Sequence, residues 1–239
     1  MGKQYSAEIE RSFKVLDDRA LTDYLTRIAE NIAKNSDAQM PITVRLLDIE
    51  QIQAFTLPGG YQYVSRGLLL RLESESELAG VLARGIAHTA LRSAARLMTR
   101  ANWANVGNIP LIFVGPSVPP NRVSGLNIPL TWLSLNRGFE QQADYVGAQY
   151  LYKAGYSAEG LVRAIERIWP TTPLTAKAFS PFPPTPDRVK ALRKEIDRLP
   201  KRAGEIASTP EFDGFEQRLR SWKPTEPVST PSLSNPQPQ

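Results

Sequence analysis

From Leu78 to Leu91 the chain runs through small and apolar residues, interrupted only by Arg84, His88 and Thr89. Just ahead of this run, Ser74-Glu75-Ser76-Glu77 forms a capping box, Ser at the N-cap and Glu three residues on, so a helix is predicted to start there and run toward Arg100. A helix that is apolar on nearly every side belongs in the interior, and other elements have to surround it. Arg84 and His88, four residues apart, therefore project together from a largely buried helix. A guanidinium held there is costly unless a carboxylate meets it.

The remaining sequence supplies both the enclosure and the counter-charge. Leu21, Tyr24, Leu25, Ile28 and Ile32 fall at the 3.6-residue spacing of an amphipathic helix between about Ala20 and Lys34. Short strands are predicted at Ile42–Leu47, Gln53–Leu57 and Tyr61–Ser65, the last two joined by Pro58-Gly59-Gly60, as two or three successive antiparallel strands. A Pro-, Gly- and Asn-rich stretch from about Asn102 to Asn136 breaks the pattern before a helix near Arg137. In that helix Glu140 and Asp144 stand four apart beside the apolar stripe of Phe139, Ala143, Val146, Gly147 and Tyr150, so two helices offer matching cationic and anionic edges. Gly155 ends it, and further helices are predicted at Ala158–Trp169 and, opened by Thr185-Pro186-Asp187, at Pro186–Leu199. The fold class is α+β, mainly helical with a small antiparallel sheet. One domain is expected over residues 1–199, a partly helical extension over 200–223, and a disordered proline-rich tail over 224–239.

Composition narrows the chemistry. With 239 residues and 41% hydrophobic content the chain can bury one sizeable core. Absence of cysteine excludes disulfides, thiolate metal sites and cysteine nucleophiles, and leaves the redox compartment open. The net charge of +5 is spread among interleaved acids and bases, which reads as solvated surface, so no nucleic-acid partner is expected. No run approaches the roughly 18 apolar residues of a membrane span.

Arg84-Gly85-Ile86-Ala87-His88 has the frame of the His-Glu-x-x-His zinc motif, in which two histidines on one helical face bind the metal and the glutamate is general base. Only the second histidine is kept, and it is the sole histidine of the chain. Several other segments carry a wider likeness. Ala54-Phe55-Thr56-Leu57-Pro58-Gly59-Gly60-Tyr61 with Val64-Ser65-Arg66-Gly67-Leu68-Leu69, then Glu77 to Ala83, Phe139-Glu140-Gln141-Gln142-Ala143-Asp144, and Pro183-Pro184-Thr185-Pro186-Asp187-Arg188 together resemble the HtpX-like and BepA-like gluzincin metallopeptidases, relatives of the CAAX-processing membrane proteases. The resemblance covers about Ala20 to Leu199 and implies a zincin-like fold.

Carried over by position, the resemblance puts Arg84 at the first His ligand, Gly85 at the general base, His88 at the second ligand, Glu140 at the third, Asp144 beside the ligands, and Phe182 where many relatives have His. The site is therefore expected to be vestigial, with no catalytic residue, no bound metal and no cofactor. His88 and Glu140 remain as residual ligand positions, and zinc belongs only to an alternative in which they support an atypical active site. In the main reading Arg84 takes the electrostatic place of zinc, with a guanidinium to carboxylate contact near 3 Å to Glu140 or Asp144. Gly85 then reflects either close backbone packing or unselected drift.

Other residues receive plainer expectations. His88 is expected as a hydrogen-bonded core histidine and Glu140 as a salt-bridge partner. Asp144 is expected to fix a side chain or a helix end, Asp187 to be a first-turn acid, Arg188 to be surface, and Trp103, Trp132 and Trp169 to be core. Ala54, Phe55, Thr56 and Leu57 are read as an edge strand that is either plain sheet or a substrate-binding site by backbone pairing. The 102–136 segment is expected as a packed loop, with a lid or a peripheral membrane contact through Ile109–Val114 as the alternatives. The functional reading is an inactive relative that binds a peptide or protein segment in the retained cleft or scaffolds a complex; an active atypical peptidase and a purely structural domain are the others. The compartment is open in the composition, and the resemblance alone implies a bacterial envelope or secreted location.

Overall fold

A computed structural model describes residues 2–93, 112–114, 130–168 and 185–222. Expectations for Trp103, Trp169, Phe182, the tail from Pro224 and most of the 102–136 segment lie outside these. The helix that dominates the sequence is enclosed as its composition requires. We number it α4, Glu75–Ala90, and every one of its residues from Glu75 to His88 is buried. Before it in the chain come α1 (Gly2–Ser12), α2 (Arg19–Lys34), β1 (Thr43–Leu47), β2 (Ala54–Leu57), β3 (Tyr61–Ser65) and the short α3 (Arg66–Leu69). After it come β4 (Ile112–Val114), α5 (Leu130–Ala154), α6 (Glu159–Ile168), α7 (Thr185–Ile196) and α8 (Pro210–Ser221).

Both ends of α4 are explained by local chemistry. Ser74 Oγ accepts from the Glu77 N–H at 3.3 Å, while Glu77 Oε2 accepts from the Glu73 N–H at 3.0 Å, so the capping pair reaches one residue further back than the minimal box. Glu77 is itself buried and paired with Arg163 and with Arg167, which ties α6 to the start of α4. The helix ends at Ala90, ten residues short of the expected Arg100, because the Leu91 and Arg92 N–H groups close the last turn and Arg92 adopts φ 51, a left-handed conformation that cannot propagate a helix. Helix α5 begins at Leu130, ahead of the expected start near Arg137, so its first turns run through the Asn-rich sequence that reads as loop. It stops where expected, at Gly155 with φ 99.

The sheet is four-stranded in the order β1-β3-β2-β4 and is mixed, where successive antiparallel strands were expected. β2 and β3 form the antiparallel hairpin, but β1 runs parallel to β3, with Leu47 opposite Ser65. The cause is the connection at residues 48–53, which crosses the end of β3. It is held there by the Ser65 hydroxyl, which donates to the Gln51 carbonyl at 2.6 Å and accepts from the Gln53 N–H at 2.9 Å. That crossing puts β3 between β1 and β2.

One core joins α2, α4, the sheet face carrying Val44, Leu46, Ala54 and Val64, and the helices that follow. Phe212, Phe215 and Leu219 of α8 are buried in this same core. A second cluster, Leu47, Phe55, Leu57 and Tyr63, lies on the other sheet face, where Ile9 and Phe13 pack against it. The strands thus alternate faces, Ala54 and Val64 toward the main core, Phe55 and Tyr63 away from it.

Candidate functional site

The closest approach of α4 and α5 sets the site. A Cβ on Gly147 would lie 3.2 Å from both N and Cα of Arg84, so any side chain there would push the helices apart. With the backbones this near, the Arg84 guanidinium reaches across to α5. Its Nε donates to Asp144 Oδ1 at 2.9 Å, and its Nη2 pairs with Glu140 Oε2. Asp144 is held from a third helix as well, since Arg188 of α7 donates from Nε to Oδ2 and from Nη2 to Oδ1, each at 2.9 Å. Arg84, Glu140, Asp144 and Arg188 are each at most 2% exposed. Two guanidinium cations therefore face two carboxylates in a closed interior, with no formal charge left over.

Arg188 was expected at the surface and is buried instead. Val189 and Leu192, one and four residues on, are also buried, so Arg188 sits on the inward stripe of α7, whereas Asp187 is exposed as a first-turn acid. That helical spacing was the signal that could have placed it.

Burial lowers the Arg84 guanidinium to about 10, with Asp144 opposing the shift and Arg188 adding to it, and the group stays cationic at neutral pH. His88 is displaced much further. Burial, then the Arg84 and Arg188 cations, hold it well below the ordinary imidazole range, so its ring is neutral. Its Nε2 lies 3.6 Å from Glu140 Oε2, beyond hydrogen-bond length, and neither ring nitrogen finds a partner among the described residues. The expected hydrogen-bonded core histidine is thus buried but not bonded. Pairing Glu140 with a cation leaves no reason for His88 to be protonated.

Gly85 has a packing explanation. A Cβ there would lie 2.8 Å from Gln62 Cδ, 2.9 Å from Gln62 Nε2 and 2.9 Å from Thr56 Oγ1. The space into which a side chain at 85 would grow is filled from the sheet by Gln62 of β3 and Thr56 of β2, both buried. Neither Gln62 nor its contact with Gly85 was foreseen, and the inward-facing alternation with Val64 is the one hint the sequence held.

Ala54, Phe55, Thr56 and Leu57 form β2, which was expected at the edge of the sheet. It is an inner strand. β4 pairs with it antiparallel, Ala54 opposite Val114, Phe55 opposite Phe113 and Thr56 opposite Ile112. All four β2 residues are buried, and the Phe55 ring stacks on Tyr63 at 5.1 Å between centroids. Residues 112–114 are thus strand where a loop was expected, since their run of β-branched and aromatic residues satisfies an otherwise open backbone edge.

Among the described residues no helix is long and apolar enough to cross a membrane. Comparison with known proteins places these elements in a family context. The model of peptidase family M48 matches residues 19–196. The beta-barrel assembly-enhancing protease of Yersinia pestis is 28% identical over 178 residues, covering 70% of this chain and 37% of that protein. Its counterpart in Escherichia coli (strain K12) is 25% identical over 178 residues with the same coverage. The mitochondrial metalloendopeptidase OMA1 of Arabidopsis thaliana is 31% identical over 105 residues, covering 44% of this chain and 21% of that protein. The chain therefore spans well under half the length of these relatives.

Proposed function

Because this chain belongs to peptidase family M48, we propose that it is a catalytically inactive member that keeps the family scaffold and binds an extended peptide or protein segment. The observation that carries the reading is the Arg84 guanidinium lying between Glu140 and Asp144, with Gly85 at the position of the general base. A catalytic zinc needs three protein ligands and a water. Here the donor set reduces to neutral His88 and Glu140, and Glu140 already meets a cation. Arginine offers no lone pair and repels a dication, so the residues present do not fit the metal. Without the general base, a hydrolytic step would lose a further factor of about 10² to 10⁴. Gln62 and Thr56 fill the space a base at 85 would need.

Metal analysis of protein purified without chelator tests the inactivity. The expected result is far below one equivalent of zinc and no casein hydrolysis. Turnover that a chelator abolishes would overturn the reading in favour of an atypical site at His88 and Glu140.

A purely structural role is the competing account, and the charge-balanced closure of the site favours it. Peptide capture by the chain, lost when Phe55 is replaced, separates the two.

A further inference from the structure

The two outer edges of the sheet are closed in different ways. On the β1 side residues 14–16 fold back onto the strand, with the Leu16 N–H donating to the Leu46 carbonyl at 2.8 Å and the Asp48 N–H to the Lys14 carbonyl at 2.9 Å. On the other side the outer edge of β2 is covered by β4, whose register runs only from Ala54 to Thr56 and leaves Leu57 uncovered. An edge whose backbone groups are met by so short a segment is held by few hydrogen bonds, each worth about 0.5 to 1.5 kcal/mol net.

β2 is also the strand nearest the altered site. Thr56 Oγ1 lies where a Cβ on Gly85 would come to 2.9 Å, so whatever pairs along the outer edge of β2 runs beside the Gly85 turn of α4. The two faces of β2 differ in chemistry. Phe55 and Leu57 belong to the aromatic and aliphatic cluster with Tyr63, while Ala54 and Thr56 are small and lie on the side of α4. An extended chain added here meets alternating surroundings, aromatic opposite Phe55 and small opposite Ala54 and Thr56. In the register of β4 the residue opposite Phe55 is Phe113.

We infer that β4 is an internal stand-in for a peptide: the outer edge of β2 is a strand-addition site for an extended apolar segment of a partner protein, and residues 112–114 leave that edge when the segment enters. The inference rests on the peptide-binding function proposed above and adds its location, the chemistry of the ligand and a self-occupied resting state. Backbone hydrogen bonds are exchanged for equivalent ones, so the cost of entry is the cost of removing β4. The apparent affinity of the closed chain is accordingly reduced by the fraction of molecules in which the edge is open.

The probe is a fluorescein-labelled peptide of residues 109–115, Ile-Pro-Leu-Ile-Phe-Val-Gly, titrated by anisotropy against the full chain and two variants, Phe113→Pro and Ile112→Pro/Val114→Pro. Alternate residues of an antiparallel strand donate to one neighbour, so one of the two removes the donors that face β2. That variant is expected to bind the peptide about tenfold or more tighter than the parent. Hydrogen exchange at residues 54–57 is expected to speed up in it and to slow again with peptide. In the parent chain, saturating peptide is expected to speed exchange at residues 112–114, a readout that needs no variant to fold.

Equal affinity for parent and variants would leave peptide binding standing and overturn self-occupancy. So would residues 54–57 that stay protected in both variants, or 112–114 exchange unmoved by bound peptide. No binding to a variant whose 54–57 amides exchange freely would overturn both the strand-addition site and the proposed peptide-binding function.

Discussion

Replacing Arg84 by methionine removes the cation while keeping most of the apolar stem, and the structure determines which carboxylate suffers. Asp144 keeps both hydrogen bonds from Arg188. Glu140 keeps only neutral His88, 3.6 Å away. The variant is therefore left with one uncompensated buried carboxylate, and breaking a buried pair in this way costs about 3 to 5 kcal/mol. At about 2 to 4 °C per kcal/mol for a chain of this size, that is a fall in Tm of roughly 6 to 20 °C. Urea denaturation followed by circular dichroism at pH 7 measures the free energy directly.

Two controls make the reasoning refutable. Adding Glu140→Met to Arg84→Met replaces the ion pair by apolar volume and should recover most of the loss, because buried pairs are often neutral against apolar substitutes. In the single variant, burial without a cation raises the pKa of Glu140 above its unfolded value. Its protonated form then binds a proton more tightly in the native state, so the stability deficit should shrink as pH falls from 7 to 5. A single variant within about 0.5 kcal/mol of the parent, the range of ordinary surface changes, would refute the argument. So would a double variant no more stable than the single.

Gly85→Ala sets a helix-propensity gain of about 1 kcal/mol against overpacking of about 1 to 3 kcal/mol onto Thr56 and Gln62. We expect net destabilisation in chemical denaturation, smaller in a Gln62→Ala background where the flexible contact has gone; a stabilised Gly85→Ala chain would mean that the space is not filled as described. The sole histidine should make stability fall below its ordinary pKa of 6.5, because there the unfolded chain takes up a proton that native His88 refuses. The slope approaches about 1.4 kcal/mol per pH unit, and its loss in His88→Gln, followed by denaturation between pH 7 and 5.5, separates it from the titration of carboxylates.

The parts legible in the sequence were those where one local rule acts alone. The apolar run of α4, its serine cap, the spacing of Glu140 against Asp144 and the glycine after α5 each follow from helix periodicity or terminal hydrogen bonding. Arg84 meeting a carboxylate followed from the cost of burying a guanidinium. The parts that were not legible depend on tertiary placement. Whether β1 lies beside β2 or beyond β3 is decided by Ser65 holding the 48–53 crossing. Whether β2 is an edge is decided by a segment more than fifty residues away in sequence. Arg188 was misplaced for a different reason: a charged residue on an apolar stripe reads as surface until the buried Asp144 is seen to need a second donor. Gly85 remained ambiguous because a glycine is silent about what lies opposite it.

A cation carried on the backbone differs from a bound ion in one respect that matters for the life of the molecule. Where a structural or catalytic metal contributes to the native state, its contribution scales with free metal concentration and disappears with chelation, and folding can wait on supply. Arg84 is delivered by the ribosome, one per chain, at a fixed position beside its two carboxylates. Dilution cannot remove it, and competition among proteins for a scarce metal does not reach it. The native state of this chain is therefore indifferent to the metal content of wherever it folds.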